Sequence, residues 1–251
     1  MSDPARARSA RRLRVLISAG PTREPIDAVR FISNYSTGVM GARLVTEARR
    51  RGHRVTLVSG PTDVEPPRGT RTIWVERTRE MRAALRIEAR RADAILMAAA
   101  VCDFEAARSL QRKFPRRGQL RLHLKATPDI VKTLPRRPGQ LVVGFALETS
   151  RAVARAAAKL RSKHLDLIVG QQVNGSRPFG ERPVEAFFVH PAGAVTRLGK
   201  VSKAVLARAI LDEIEQLWYG GTTRGQASRG PHGHASPRHG HGQEEGGPTH
   251  R

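Results

Sequence analysis

Between Gly20 and Gly41 the chain reads GPTREPIDAVRFISNYSTGVMG. Its polar side chains, Thr22, Arg23, Arg30, Asn34, Ser36 and Thr37, are more than a turn needs. A short apolar run at 13–19 precedes this stretch and reads as a first strand. Helical apolar spacing over 40–51 follows it. A strand that runs through a glycine-rich loop into a helix start exposes backbone N–H groups and a positive helix end, which suits a phosphate. The stretch is therefore expected to hold an anion. Gly20, Gly38 and Gly41 also fit a plainer role in turn and helix-packing geometry.

Two further places could do chemistry. Asp103 follows an apolar run, 95–101, that reads as a buried strand, so it stands at a strand's carboxyl end, where ligands collect in open α/β sheets. A helix N-cap is the alternative for this acid. Lys159 and Lys163 are spaced i, i+4 on one helical face, which a solvated surface would equally explain. Lysine is scarce: of 45 basic residues only seven are Lys, at 113, 125, 132, 159, 163, 200 and 203. A lysine in such a chain marks a place where a compact ammonium is wanted in preference to a guanidinium fork.

The elements that must position these groups follow from periodicity. Apolar runs at 15–19, 54–59, 72–75, 94–98, 141–145, 165–169 and 184–190 read as strands. Helical spacing appears at 40–51, 78–91, 128–134, 150–163 and 202–217. Such alternation implies βαβ units. The expected fold is α/β, a Rossmann-like and mostly parallel sheet with helices on both faces. An antiparallel hairpin is added around Pro191-Ala192-Gly193. Residues 1–12 read as a disordered basic arm and 13–218 as the folded domain. Residues 219–251 read as a disordered tail rich in Gly and His. Its histidines, His232, His234, His239, His241 and His250, suit a solvated tail better than a metal site.

Composition narrows the function classes. The 251 residues carry a formal charge of +23, but the excess is arginine spread along the chain, read as a drift in surface composition and not as a nucleic-acid interface. One cysteine, Cys102, allows no internal disulfide and reads as a small buried side chain. No apolar run approaches the about 18 residues of a membrane span. The N-terminal segment lacks a signal-peptide core, so a cytoplasmic protein is expected. A dinucleotide fingerprint is missing, since the first turn is Gly20-Pro21-Thr22 and the second strand ends in Ser59-Gly60-Pro61 without a ribose-binding acid. That argues against hydride transfer.

Taken in order, AGPTREPIDAVRFISNYSTGVMG (19–41), VTLVSGPT (55–62), MAAAVCDF (97–104), the stretch around Lys113, TPDIV (127–131), VGFALET (143–149) and KLRSKHLDLIV (159–169) resemble the phosphopantothenate–cysteine ligase family. The resemblance implies a ligase of coenzyme A biosynthesis. Such an enzyme activates the carboxylate of 4′-phosphopantothenate with CTP, or with ATP, and Mg2+. Cysteine then attacks the acyl-nucleotidylate. Carried over by position, Gly20, Ser36, Gly38 and Gly41 would line the phosphates. Asn34 would hold the acyl-nucleotidylate, which suits an amide that donates and accepts at once. Arg30 would meet a substrate carboxylate or phosphate; a cap for Asn34 and a surface place for Arg30 are the alternatives. Asp103 would face the nucleotide and its metal beside a wall of Ala99 and Ala100. Lys113 would belong to a flap that screens the anhydride from water. Within Thr127, Pro128, Asp129 and Ile130, Asp129 would contact base and sugar together with Phe145, and Lys159 and Lys163 would lie near the nucleotide. The family further implies a homodimer.

The chain departs from the family at Val39, at Thr127, at Gly170-Gln171-Gln172 and in a shorter flap with Arg116 and Arg117. These changes leave the choice of CTP or ATP open. Without a flavin-binding half, the expectation is a free-standing ligase with a separate decarboxylase as partner. The alternative is a catalytically weakened nucleotide-binding relative that associates with such a decarboxylase.

Overall fold

The computed structural model of the protein describes residues 12–116, 118–173 and 179–226. The chain opens with β1 (Arg14–Ala19), β2 (Arg23–Pro25), β3 (Phe31–Ser33), α1 (Val39–Arg50), β4 (Arg54–Ser59), β5 (Arg71–Trp74) and α2 (Thr78–Ala89). It continues through β6 (Ala94–Met97), β7 (Phe104–Ala106), β8 (Leu124–Ala126), a 3-10 turn (Val131–Thr133) and β9 (Leu141–Glu148). It closes with α3 (Ala152–Ser162), β10 (Leu167–Gln172), β11 (Val184–Val189), β12 (Val195–Val201) and α4 (Lys203–Gln226).

Eight strands form one sheet in the order β12-β11-β10-β9-β6-β1-β4-β5. Neighbours from β5 to β10 pair in parallel, and β11 and β12 pair antiparallel. The parallel part is the doubly wound order, in which the chain leaves β1 in one direction for β4 and β5, then returns to β1's other side for β6. β1 and β6 are apolar almost throughout because helices cover both faces. Val15 and Ile17 of β1 pack with Leu44 of α1 and Leu206 and Ile210 of α4. Leu16 points the other way, to Met81 and Leu85 of α2 and Leu160 of α3.

The fold class is as expected, and β4 matches its predicted bounds. The hairpin of β11 and β12 turns at the predicted place. Three differences have local causes. The helix predicted at 128–134 is only the 3-10 turn, because Leu134 must leave helical geometry before Pro135. The β2–β3 and β7–β8 hairpins escape detection because three-residue strands show too little alternation. Finally, α4 runs to Gln226, past the boundary predicted at Trp218, through a Gly220-Gly221 pair that reads as a breaker. Extending a helix already anchored by packing is far easier than starting one. Residues 1–11 and 227–251, with the five tail histidines, lie outside the described residues. No helix among the described residues is long and apolar enough to cross a membrane.

An ionic network ties α1 to α4. Glu47 accepts hydrogen bonds from Arg50 at 2.9 and 2.7 Å and from Arg51 at 2.8 Å. Arg51 also pairs with Asp212 at 2.8 Å and Glu215 at 2.9 Å. The Arg50 bonds, then Arg51, outweigh partial burial and hold the Glu47 carboxyl at about 2. A carboxyl lowered on folding stabilises above its unfolded pKa, and that contribution fades as pH falls through the folded value. Glu47→Gln is expected to cost about 2 kcal/mol at neutral pH, the scale of hydrogen bonds to charged groups. In urea melts, its deficit should shrink as pH drops from about 4.5 towards about 2. A deficit constant over that window would contradict the assignment.

Candidate active site

The site is built where β1 and β6 end. Gly20 adopts φ +74°, and its carbonyl accepts the Ala100 N–H at 2.9 Å. The Thr22 N–H returns to the Ala100 carbonyl at 3.3 Å, so the two exit loops are laced together. Thr22 is buried; its Oγ1 accepts the Cys102 N–H at 2.9 Å and lies 3.1 Å from Thr78 Oγ1 at the start of α2. Asn34 donates through Nδ2 to the carbonyls of Ala100 at 3.0 Å and Val101 at 3.1 Å. Two carbonyl partners fix the orientation of the amide, which leaves Oδ1 as the acceptor end of the side chain. Asn34 is thus a clamp across the two loops and not a helix cap; Gly38 is the N-cap of α1.

Gly38 takes a left-handed conformation with φ +79°, and no acid stands in the first turn of α1. The leading N–H groups of a helix have no acceptor within it. Here Gly38, Val39, Met40 and Gly41 line a cavity of about 740 Å³. Gly41 is obligatory for packing, since a Cβ there would stand 2.2 Å from the Ala19 Cβ. The helix therefore presses on β1 with its positive end over the cavity.

The opposite wall comes from the α3 face. Lys159 donates to the Phe145 carbonyl at 2.6 Å, and Lys163 pairs with Asp129 at 3.0 Å. Burial pulls the Lys159 pKa below its ordinary value, and the Lys163 charge adds to this. Burial alone would raise the Asp129 carboxyl, but the Lys163 hydrogen bond, the Lys132 N–H and both lysine charges bring it below the usual range. Arg82 and Arg86 of α2 hold the 3-10 turn through Thr133 Oγ1 at 3.0 Å and the Thr133 carbonyl at 2.7 Å. Thr127 donates to the Cys102 carbonyl at 2.6 Å, and its N–H reaches the Asp103 carbonyl at 2.9 Å. Asp103 is exposed and leads into β7, so it caps no helix.

One cavity thus gathers Asn34, Ser36, Gly38, Gly41, Ala99, Ala100, Asp103, Thr127, Pro128, Asp129, Ile130, Phe145, Lys159 and Lys163. Three expected residues are not among its lining. Gly20 faces the Gly60 backbone, whose carbonyl oxygen a Cβ would meet at 3.0 Å, so close packing there requires glycine. Arg30 pairs with buried Asp27 at 3.1 Å and lines a separate cavity of about 320 Å³. Asp27 also accepts the N–H groups of Val29, Arg30 and Phe114, so it fixes the loop that carries Arg30. Lys113 is exposed on the excursion between β7 and β8 and lines neither cavity. The sequence reading missed Phe179 and Lys203, which line the main cavity. The rarity of lysine was the available signal for Lys203, whose helix otherwise reads as packing.

Among the described residues no group of three or more His, Cys, Asp or Glu side chains could hold a metal. The exposed carboxylate of Asp103 at the cavity fits Mg2+ carried on a triphosphate, because this ion is commonly held by one or two carboxylates plus substrate phosphates.

A doubly wound sheet with a glycine loop, a bare helix end and paired lysines at its switch point defines an α/β domain of the Rossmann-like class. More narrowly, the chain belongs to the family described as the DNA/pantothenate metabolism flavoprotein C-terminal domain, which matches residues 10–217. It is 38% identical over 208 residues to the coenzyme A biosynthesis bifunctional protein CoaBC of Bacillus subtilis (strain 168), covering 81% of this chain and 51% of that one. It is 44% identical over 209 residues to a protein of an unknown prokaryotic organism named cysteine/cysteine sulfinic acid decarboxylase, covering 81% of this chain and 58% of that one. The chain thus spans little more than half the length of these relatives. The crystal structure of the C-terminal domain of CoaBC superposes with a TM-score of 0.71 at 34% identity, covering 83% of this chain and 96% of that one. The Cab2 H337A mutant in complex with phosphopantothenate-cysteine shares the fold, with a TM-score of 0.66 at 18% identity over 84% of this chain and 89% of that one.

The Gly41 contact yields a sharp expectation. Gly41→Ala must push α1 off β1, with an overpacking cost of about 1–3 kcal/mol. Thermal melts check this, and a wild-type melting temperature would contradict the packing described.

Proposed function

We propose that the protein joins 4′-phosphopantothenate to cysteine through an acyl-nucleotidylate, as a ligase of coenzyme A biosynthesis. The observation that carries this reading is the single cavity spanning the sheet edge, with a bare helix end on one side and Lys159, Lys163 and Asp129 on the other. In the first step a carboxylate oxygen of the pantothenate bonds to the α-phosphorus, and pyrophosphate leaves with the electron pair. In the second the cysteine amine bonds to the acyl carbon, the nucleoside monophosphate leaves, and the amine gives up a proton.

Each residue has a part in this scheme. The N–H groups of Val39, Met40 and Gly41 and the Ser36 hydroxyl receive phosphate oxygens. Fixed donors of this kind stabilise charge without reorganising as the reaction proceeds. The Ala99–Ala100 backbone supplies a close, small-sided wall. Asp129, Ile130 and Phe145 seat base and sugar, with Pro128 and Thr127 fixing that segment. Asn34, clamped at the divide, offers Oδ1 to the intermediate. Asp103 would hold Mg2+ carried on the triphosphate, and the ion would supply charge neutralisation there. The nucleotide is CTP or ATP.

Exposed apolar side chains cluster on the two small hairpins: Val29 and Phe31 on one, Phe104 and Leu124 on the other, with Leu120 and Leu122 nearby. Apolar exposure of this kind supports a homodimer across this face. The second reading is a nucleotide-binding relative that partners a decarboxylase. It draws on Val39, Thr127 and Gln171 at the cavity and on the similarity to a protein named for decarboxylation.

Mass spectrometry of full-length protein with 4′-phosphopantothenate, cysteine, Mg2+ and either CTP or ATP separates these readings. Phosphopantothenoylcysteine with the matching monophosphate is the expected outcome. In Asn34→Asp a carboxylate would face the Ala100 and Val101 carbonyls at about the present 3.0 and 3.1 Å. Its turnover should fall about a hundredfold, the scale of one lost polar contact to a developing charge. Folded wild-type protein that forms no product with either nucleotide would favour the decarboxylase partner instead.

A further inference from the structure

Two lysines, Lys159 half-buried and Lys203 buried, line the cavity from opposite faces of the sheet. Lys159 comes from α3, which packs with α2 on one face. Lys203 comes from the first turn of α4, which packs with α1 on the other, and is only 5% exposed. Lys159 belongs to the cavity wall that the scheme above rests on, and Lys203 has no part in that scheme.

Local contacts tie Lys203 to the bare end of α1. Its Nζ donates to the Gly180 carbonyl. The Gly180 N–H donates to Thr37 Oγ1 at 3.1 Å, one residue before the N-cap of α1. Glu181 accepts from Arg43 of α1 at 2.5 Å, and the rings of Phe179 and Tyr35 lie 5.9 Å apart. Residues 179–181 therefore bridge the start of α4 to the loop at 35–38. Burial lowers the Lys203 pKa, against the opposing charge of Glu181. A desolvated ammonium gains most from a multiply charged anion.

We propose that Lys203 is a phosphate-binding residue of this cavity, which grips the outer phosphates of the nucleoside triphosphate as they leave as pyrophosphate. The assignment rests on the ligase reading above. A nucleotide whose base lies against Ile130 and Phe145, on the α3 side, crosses the sheet edge near Ala100. Its phosphate chain then reaches the face where α1 and α4 both begin. No bond forms or breaks at Lys203. Its charge offsets that of the departing pyrophosphate.

Calorimetric titration of the full chain with pyrophosphate, nucleoside monophosphate and 4′-phosphopantothenate tests this in wild type, Lys203→Met and Lys203→Arg. Lys203→Met should weaken pyrophosphate at least about tenfold, the scale of one charge-assisted hydrogen bond, and leave the other two affinities unchanged. Lys203→Arg should recover part of the loss. Equal pyrophosphate affinity in wild type and Lys203→Met overturns the assignment, as does a wild type that binds no pyrophosphate. A loss confined to 4′-phosphopantothenate also overturns it and puts the substrate phosphate there instead. Should Lys203→Met not fold, wild type labelled at lysine 13Cε decides, because the chain has only seven lysines. Pyrophosphate must shift the signal that Lys203→Arg lacks; an unmoved signal overturns the proposal. Wild type that binds pyrophosphate through Lys203 yet makes no phosphopantothenoylcysteine would support the phosphate site and overturn the ligase reading.

Discussion

The site depends on how closely three backbones approach one another where β1 ends. A Cβ on Gly60 would stand 1.8 Å from the Pro21 carbonyl oxygen, and one on Gly41 would stand 2.2 Å from the Ala19 Cβ. No side chain fits at either place. With glycine there, the exit loop of β1 lies flat between the ends of β4 and β6, and α1 sits down on β1. The helix end then falls over the switch point of the sheet, where the strand order leaves a crevice. Thr22 and Asn34 lock that arrangement from the two sides, one buried and one at the cavity wall.

Charge is divided between two kinds of work. Arginine mostly closes backbone ends and braces the frame. Arg136 caps the carbonyls of Lys163 and His164 at the end of α3, and Arg137 reaches the Ala92 carbonyl. Arg14 holds Asp93 at 2.7 Å beneath the sheet's amino edge. A planar fork suits such paired acceptors. Three of the seven lysines, Lys159, Lys163 and Lys203, line the cavity.

Periodicity made the frame legible. Strands buried on both faces leave unbroken apolar runs, and α1, α2 and α3 show a stripe that faces the sheet. The cavity side of the glycine stretch was legible too, because glycine and small polar residues before a helix have few other uses. Short hairpins were not legible. Three residues such as Phe104–Ala106 cannot establish a period, yet this hairpin decides that Asp103 stands just before a strand and caps no helix. Nor could the sequence say which way Gly20 faces, since a packing glycine and a phosphate-binding glycine share one letter. Lys203 was hidden for a different reason. Its place at the cavity is fixed by Gly180, which it bonds and which in turn bonds Thr37 at the start of α1, partners distant in the chain.

The central claim is that one cavity activates a carboxylate at the α-phosphate of a nucleotide. Isotope transfer tests it most directly. The protein is supplied with 4′-phosphopantothenate bearing 18O in its carboxylate, together with cysteine, Mg2+ and CTP or ATP. The account predicts that one labelled oxygen moves into the nucleoside monophosphate. Label found in inorganic phosphate instead would mean attack at the terminal phosphate, and would contradict the arrangement of base, phosphates and Asn34 described for this site.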